Sequence, residues 1–118
     1  MTPSPRLTCE RTDEAGTVTL APAGEIDVST APQMRELLVD AIASGHPVVV
    51  DLGAVTFIDS TGIGVFVMAH KRLDANGSMM VLCAPTEQVR ALLEITGLDA
   101  VMACADTREA ARRLLDGA

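Results

Sequence analysis

The segment Asp59–Gly64, with the sequence DSTGIG, constrains the fold of this chain more than any other feature. It follows the apolar run Val48–Leu52 and the segment Val55–Ile58, and it precedes a second apolar stretch of helical length, Ile63–Leu73. This order predicts a strand, a short loop and the start of a helix. The loop places Ser60, next to the Asp59 carboxylate, where a helix presents unpaired backbone N–H groups. Serine at such a position is a good helix N-cap and also an accessible phosphate acceptor.

Alternating strand and helix patterns precede this segment. Two short stretches rich in β-forming residues, Leu7–Thr12 and Thr17–Ala21, are separated by the turn composition of Asp13–Gly16 and predict a hairpin. The capping-box pattern of Thr30–Gln33, with a proline in the first turn, predicts the start of a helix. The apolar stripe of this helix consists of Met34, Leu37, Leu38, Ala41 and Ile42.

The same alternation continues to the end of the chain. Val48–Val50 and Met79–Cys83 have the continuous apolar character of buried strands, and a short last strand is predicted at Ala100–Ala103. A third helix is predicted from Thr86 to Gly97. A last helix follows the cap-like segment Asp106–Glu109 and carries the stripe Ala111, Leu114 and Leu115.

This element order predicts an α/β fold in a single domain over residues 1–118. We expect a mixed sheet of about four to five strands with an N-terminal hairpin, and about four helices. Residues 1–6 and 116–118 are expected to be frayed ends. The loops Gly24–Ser29 and Asp59–Gly62 both enter helices, so we expect them to be neighbours at one edge of the sheet. The predicted core residues are Met34, Leu37, Leu38, Ile42, Phe66 and Leu93.

The composition excludes several classes of function. The net charge is −7, the chain has no Trp or Tyr, and Phe occurs only at positions 57 and 66. Nucleic-acid binding is excluded because it needs clustered Lys and Arg and aromatic side chains for base stacking. No apolar run reaches the roughly 18 residues of a membrane span. Residues 1–6 contain no hydrophobic region of a secretory signal.

The cysteines and histidines predict no metal site. Cys9, Cys83 and Cys104 are odd in number, widely spaced and set in apolar stretches, which is typical of reduced core residues in a cytosolic protein. The chain has no C-x-x-C pair, and His46 and His70 lie far apart in the sequence.

Two motifs resemble one known family. Val55–Gly64 is similar to the phosphorylation-site segment of the STAS domain in anti-sigma factor antagonists. Gly24–Asp27, followed by Thr30–Pro32, resembles the acidic loop that precedes the first helix in that family. The later segment Val81–Leu98 resembles the family's later strand and helix, so the resemblance covers nearly the whole chain.

The resemblance implies a STAS fold and a regulatory binding module without enzymatic activity. It implies that the unphosphorylated protein binds an anti-sigma factor serine kinase in the cytoplasm and thereby releases a sigma factor. Phosphorylation of Ser60 would then end binding, and a metal-dependent serine phosphatase would reset the cycle. Asp27, Asp59, Ser60, Thr61 and Gly62 would form the partner-binding site, with Gly62 and Gly64 leaving room for the partner. No cofactor is implied, and the expected state is a monomer or weak dimer.

Other interpretations of the same residues stay open in the sequence. Ser60 fits a simple helix cap, Thr61 is a second candidate acceptor, and Asp59 fits a carboxylate that complements the helix dipole. The alternative function is a STAS subunit of a lipid-transport ATPase or of a stress-signalling scaffold. An enzyme with Ser60 as nucleophile is disfavoured because the sequence shows no general base or oxyanion partner beside it.

Overall fold

The computed structural model describes residues 6–117. Its strands are β1 (Leu7–Glu14), β2 (Thr17–Ile26), β3 (Val48–Asp51), β4 (Ala54–Ile58), β5 (Met80–Cys83) and β6 (Ala103–Ala105). Its helices are α1 (Ala31–Ile42), α2 (Ser60–Ala75), α3 (Glu87–Ile95), α4 (Leu98–Val101) and α5 (Arg108–Asp116). These elements form an α/β fold with a mixed sheet, as the sequence predicts.

The sheet has the strand order β1-β2-β3-β5-β6, and only β1 is antiparallel to its neighbour. Strand β2 is long enough to pair with two strands in succession. Its Val18–Leu20 part pairs with β3, and its Ala23–Ile26 part pairs with β4. Strands β2 and β4 therefore end at the same edge of the sheet. Helix α1 follows β2 along the chain, and helix α2 follows β4.

The sheet is covered on both sides at its centre. Val48 and Val50 belong to the larger core cluster with α1 and α2, whereas Val49 belongs to a smaller cluster that includes Ala111 of α5. Alternate residues of a strand point to opposite faces, so β3 is buried on both faces. This explains its continuous β-branched sequence. Of the predicted core residues, Met34, Leu38, Phe66 and Leu93 are buried, and Leu37 and Ile42 pack half-buried against them.

Several element boundaries differ from the predictions. Strand β2 continues to Ile26, so the predicted loop Gly24–Ser29 is shortened to 27–30. Ala54–Ile58 forms a sixth strand, and Leu98–Val101 forms a short fifth helix where the sequence predicts a strand from Ala100. In α5, Leu114 is 42% exposed, so it is not part of the buried stripe.

The predicted frayed ends lie partly outside the described residues, namely residues 1–5 and 118. Within the described part, Arg6 is hydrogen-bonded to three side chains, and Asp116 is the last residue of α5. Along residues 6–117, none of the helices is both long enough and apolar enough to cross a membrane.

Candidate functional site

The two loops that the sequence predicts to be neighbours do lie side by side. The Asp59 backbone N–H donates to the carbonyl oxygen of Ile26 at 3.1 Å. The Val28 backbone N–H donates to Oδ2 of Asp59 at 3.2 Å. The loop before α1 and the loop before α2 are thus joined by two hydrogen bonds at the carboxyl edge of the sheet.

Asp59, and not Ser60, is the N-cap of α2. Its extended backbone precedes the helix, and its Oδ1 accepts a hydrogen bond from the Gly62 N–H at 3.0 Å. The Ile63 N–H donates to the Asp59 carbonyl oxygen at 3.0 Å. The capping interpretation of Ser60 is therefore wrong, since Ser60 is the first residue of the helix itself. Asp59 uses one carboxylate oxygen for the helix and the other for the neighbouring loop.

Ser60 and Thr61 are both exposed in the first turn of α2. The first N–H groups of a helix have no intrahelical acceptor, and the helix dipole favours negative charge there. The Asp59 carboxylate already satisfies one of these groups. A phosphate on Ser60 would have the remaining N–H groups close by, and it would also lie next to the Asp59 charge.

Asp27 is turned into its own loop. It is 9% exposed, and its Oδ1 accepts hydrogen bonds from the Ser29 N–H at 3.0 Å, the Ser29 hydroxyl at 2.8 Å and the Thr30 N–H at 3.2 Å. Its Oδ2 accepts a hydrogen bond from the Arg6 guanidinium. The Ser29 hydroxyl above all, with the two backbone N–H groups and Arg6, lowers the pKa of Asp27 below its ordinary value.

Arg6 is a site residue that the sequence analysis missed. Besides Asp27, it donates to Oε2 of Glu25 from Nε at 3.0 Å and from Nη2 at 2.8 Å, and to Oγ of Ser29 at 2.7 Å. The backbone is fixed as well, because the Glu25 N–H donates to the Arg6 carbonyl oxygen at 3.1 Å. The hairpin register carries a signal for this contact: Leu7 pairs with Gly24, which places residue 6 opposite residue 25.

Gly24 makes the close approach of Arg6 possible. Its φ is +115°, and a Cβ atom at this position would lie 2.0 Å from the Arg6 carbonyl oxygen. Both the backbone conformation and the space therefore require glycine. The end of the hairpin is consequently fixed against the acidic loop.

Thr30 does not form the predicted capping box. Its hydroxyl donates to the Glu25 carbonyl oxygen at 2.8 Å and accepts from the Asp27 N–H at 2.9 Å, and no side chain caps α1. Gln33, the other member of the pattern, donates to the Leu7 carbonyl oxygen at 3.1 Å. Both side chains connect α1 to the hairpin, and proline lies in the first turn as predicted.

Gly62 is required for internal packing. It is buried, and a Cβ atom would lie 2.8 Å from both Cγ2 and the carbonyl oxygen of Ile26, and 2.9 Å from Cγ1 of Ile58. The start of α2 therefore contacts the ends of β2 and β4 directly. Gly64 is different, because a Cβ there would meet nothing within 4 Å.

Residues 6–117 contain no cluster of three or more His, Cys, Asp or Glu side chains that could hold a metal ion. All three cysteines lie in this part of the chain and are free: Cys83 is buried, and Cys9 and Cys104 are half-buried. Burial raises the pKa of the Cys83 thiol to about 11. The cysteines thus behave as core residues, in agreement with their apolar sequence context.

The STAS domain family model matches residues 8–111. The chain belongs to the STAS domain family. An anti-sigma-B factor antagonist from Listeria monocytogenes is 43% identical to this STAS domain over 81 residues, which are 68% of this chain and 71% of that protein. Its counterpart from Bacillus subtilis is 42% identical over 76 residues, 64% of this chain and 70% of that protein.

A solved structure supports the same assignment. The crystal structure of an anti-sigma factor antagonist from Mycobacterium paratuberculosis superposes with a TM-score of 0.86 at 25% identity, covering 93% of this chain and 94% of that one. In this STAS domain, Asp59 joins the Asp27 loop to the start of α2 at the carboxyl edge of the sheet.

Proposed function

We propose that this STAS domain is an anti-sigma factor antagonist that is switched by phosphorylation of Ser60. The unphosphorylated form binds an anti-sigma factor serine kinase, and the phosphorylated form does not. One observation carries the proposal: Ser60 is exposed at the first residue of α2, beside the acidic loop that Asp59 joins to it. The relatives named anti-sigma-B factor antagonist support the regulatory role.

Each site residue has a distinct part in this proposal. Ser60 accepts the phosphate, with Thr61 as the second candidate. Asp59 positions Ser60 through the cap that it gives to α2, and Gly62 lets this turn pack closely on the sheet. Asp27 acts on the partner mainly through the loop that it holds, because only 9% of the residue is exposed.

The added charge gives a physical reason for the switch. Phosphorylation adds about −1.5 to −2 charges and three strong acceptor oxygens. An interface that accepts a neutral hydroxyl would have to desolvate this group next to the Asp59 carboxylate. A hundredfold loss of affinity requires only about 2.7 kcal/mol.

The proposal includes the rest of the cycle. The kinase uses its own ATP, and its capture by the antagonist releases a sigma factor. A metal-dependent serine phosphatase removes the phosphate. The antagonist acts in the cytoplasm as a monomer or weak dimer, without a cofactor and without catalytic activity.

Intact mass after incubation with each purified anti-sigma factor kinase of the source organism and ATP tests this function. We expect one kinase to add a single phosphate, mapped to Ser60, and the gain to vanish in Ser60→Ala. Thr61→Ala tests the second candidate acceptor and should still gain one phosphate on Ser60. Full modification of Ser60→Ala, or no modification of the wild type by any of these kinases, would overturn the proposal.

A further inference from the structure

Two exposed apolar side chains belong to the segments that meet at Asp59. Val28 is 72% exposed in the loop whose backbone bonds to Asp59, and Phe57 is 43% exposed two residues before Asp59. Single exposed apolar residues are common on protein surfaces. Here, however, one of them belongs to the loop that bonds to Asp59, and the other precedes Asp59 by two residues in β4.

The exposure of Phe57 follows from an irregularity of the sheet. The pairing of β4 with β2 shifts register between Gly24 and Glu25, so that Val55 pairs with Gly24 and Phe57 with Glu25. Thr56 is thus an extra residue, and the two neighbours Thr56 and Phe57 are both exposed. Phe66, the other phenylalanine of the chain, is fully buried.

Phe57 also borders a groove against α3. A small cavity of about 120 Å³ is lined by Phe57, Ile58, Gln88, Val89 and Leu92. Helix α3 begins after β5, at the same carboxyl edge of the sheet as Ser60. The cavity is large enough for part of one apolar side chain from a partner.

Three carboxylates belong to the segments that carry this apolar surface. Glu25 is half exposed, Asp59 bonds to the Val28 backbone and follows Phe57 by two residues, and Glu87 is exposed in the first turn of α3. Arg6, the nearby cation, is paired with Glu25 and Asp27. A complementary partner therefore has an apolar centre with Lys or Arg around it.

We propose that Val28, Phe57 and the groove of Phe57 against α3 are the apolar anchor of the interface with the anti-sigma factor kinase, an inference that rests on the proposed function. Apolar contacts of Val28 and Phe57 with the partner exclude water from the neighbouring Ser60 when the partner is bound. A phosphate there would be desolvated as well as placed beside Asp59, and both effects would weaken binding. Because the anchor residues and Ser60 belong to the same edge of the sheet, phosphorylation of Ser60 would weaken the binding of the kinase to this whole surface.

The test measures the dissociation constant of the kinase that phosphorylates the wild type, with ADP in place of ATP so that no phosphate is transferred. We expect Phe57→Ala to weaken binding at least about tenfold and Val28→Ala about fivefold, as is usual for truncated anchors. Ile95→Ala is the matched control, because Ile95 is 83% exposed at the far end of α3. Its affinity should stay within about twofold of wild type.

The outcomes separate this inference from the function itself. If the kinase binds the wild type and binds both Phe57→Ala and Val28→Ala with the same affinity, the proposed anchor is wrong. The phosphorylation switch is not affected by that result. Equal losses in the two variants and in Ile95→Ala would overturn it too, since the effect would not be local. Failure of the wild type to bind any kinase would overturn both. Chemical denaturation of each variant checks that its fold is retained.

Discussion

At the residue scale, the start of α2 depends on Asp59 and not on the hydroxyl that we propose is phosphorylated. Asp59 caps the helix, whereas Ser60 lies within it and is exposed. We predict that Ser60→Ala changes the free energy of unfolding by less than about 0.5 kcal/mol. Asp59→Ala should lower it by about 1 kcal/mol, because the Gly62 N–H loses its acceptor.

Asp59→Asn is the matched control for this prediction. Asparagine is about as good an N-cap as aspartate, so it should retain the bond to the Gly62 N–H and part of the stability. It removes the charge and, because its amide has a single oxygen, the bond to the Val28 N–H. Urea denaturation of the three variants provides the measurement. A loss in Ser60→Ala equal to that in Asp59→Ala would contradict the assignment of the cap.

Asp27 provides a second prediction at this scale. Its pKa is lowered, so the charged carboxylate stabilises the folded state. This contribution is complete above the unfolded pKa of about 3.9 and is lost as the pH falls through the lower folded pKa. Because the Ser29 hydroxyl is the largest cause and the Arg6 charge a smaller one, Ser29→Ala should raise the pKa of Asp27 more than Arg6→Gln does.

Carboxyl-carbon NMR through an acid titration measures this order. Arg11→Gln is the control, because Arg11 pairs with Asp13 on the same hairpin, away from the Asp27 loop. It should leave the pKa of Asp27 unchanged. A larger effect of Arg6→Gln than of Ser29→Ala would show that the ion pair, and not the hydroxyl, dominates.

The sequence predicts which residues lie at this edge of the sheet, but it does not predict which hydrogen bonds they form. Asp59 and Ser60 are adjacent, and both residue types are good N-caps, so the pattern alone does not determine which one begins the helix. The sequence predicts that Arg6 lies in a frayed end, since its partners are 19 to 23 residues away in the chain and no local pattern indicates them. Such contacts become visible only when the hairpin register is known.

At the element scale, α2 approaches the sheet at a glycine. A Cβ at position 62 would overlap Ile26 and Ile58, and one of the atoms it would meet is a backbone oxygen that cannot rotate away. We predict that Gly62→Ala destabilises the fold by about 1 to 3 kcal/mol, since the end of the helix must shift. Gly64→Ala, two residues further along the same helix, has open space and should stabilise by up to about 1 kcal/mol.

Thermal unfolding of the two alanine variants compares one glycine with the other inside a single helix. Opposite signs are expected. A destabilisation of the same size in both would indicate that backbone freedom, and not the contact with Ile26 and Ile58, is what position 62 requires.

The elements that the sequence missed are short or irregular. Leu98–Val101 is a single helical turn after Gly97, which ends α3 in the left-handed region with φ +73°. A segment of four residues is too short to show whether its apolar residues repeat with the period of a helix or with that of a strand. A regular strand is recognised by its alternation of buried and exposed positions. In β4 the extra residue Thr56 interrupts this alternation, so the sequence does not predict the strand. The long, regular α1 and α2 and the buried β3 were predicted correctly because their patterns are repeated.

At the scale of the whole molecule, phosphorylation adds negative charge to a chain whose net charge is already −7. The fold nevertheless has no need of the Ser60 hydroxyl. Three contacts fix the start of α2: the Asp59 carboxylate accepts from the Gly62 N–H, the Asp59 carbonyl oxygen accepts from the Ile63 N–H, and Gly62 packs against Ile26 and Ile58. The helix dipole favours the phosphate, and the Asp59 carboxylate opposes it, so the two effects act in opposite directions on stability.

We therefore predict that phosphorylation of Ser60 changes binding and leaves α2 folded. Amide hydrogen exchange of α2 in the free phosphorylated protein should match that of the unmodified protein. Affinity for the kinase should be measured between about 0.1 and 1 M salt, where the screening length falls from about 10 Å to 3 Å. Repulsion between exposed charges would fade over this range, whereas the desolvation of a phosphate in the interface would not. We expect most of the lost affinity to persist at high salt. Recovery of nearly all of it would assign the switch to repulsion alone, and faster exchange throughout α2 would show that the switch unfolds the helix.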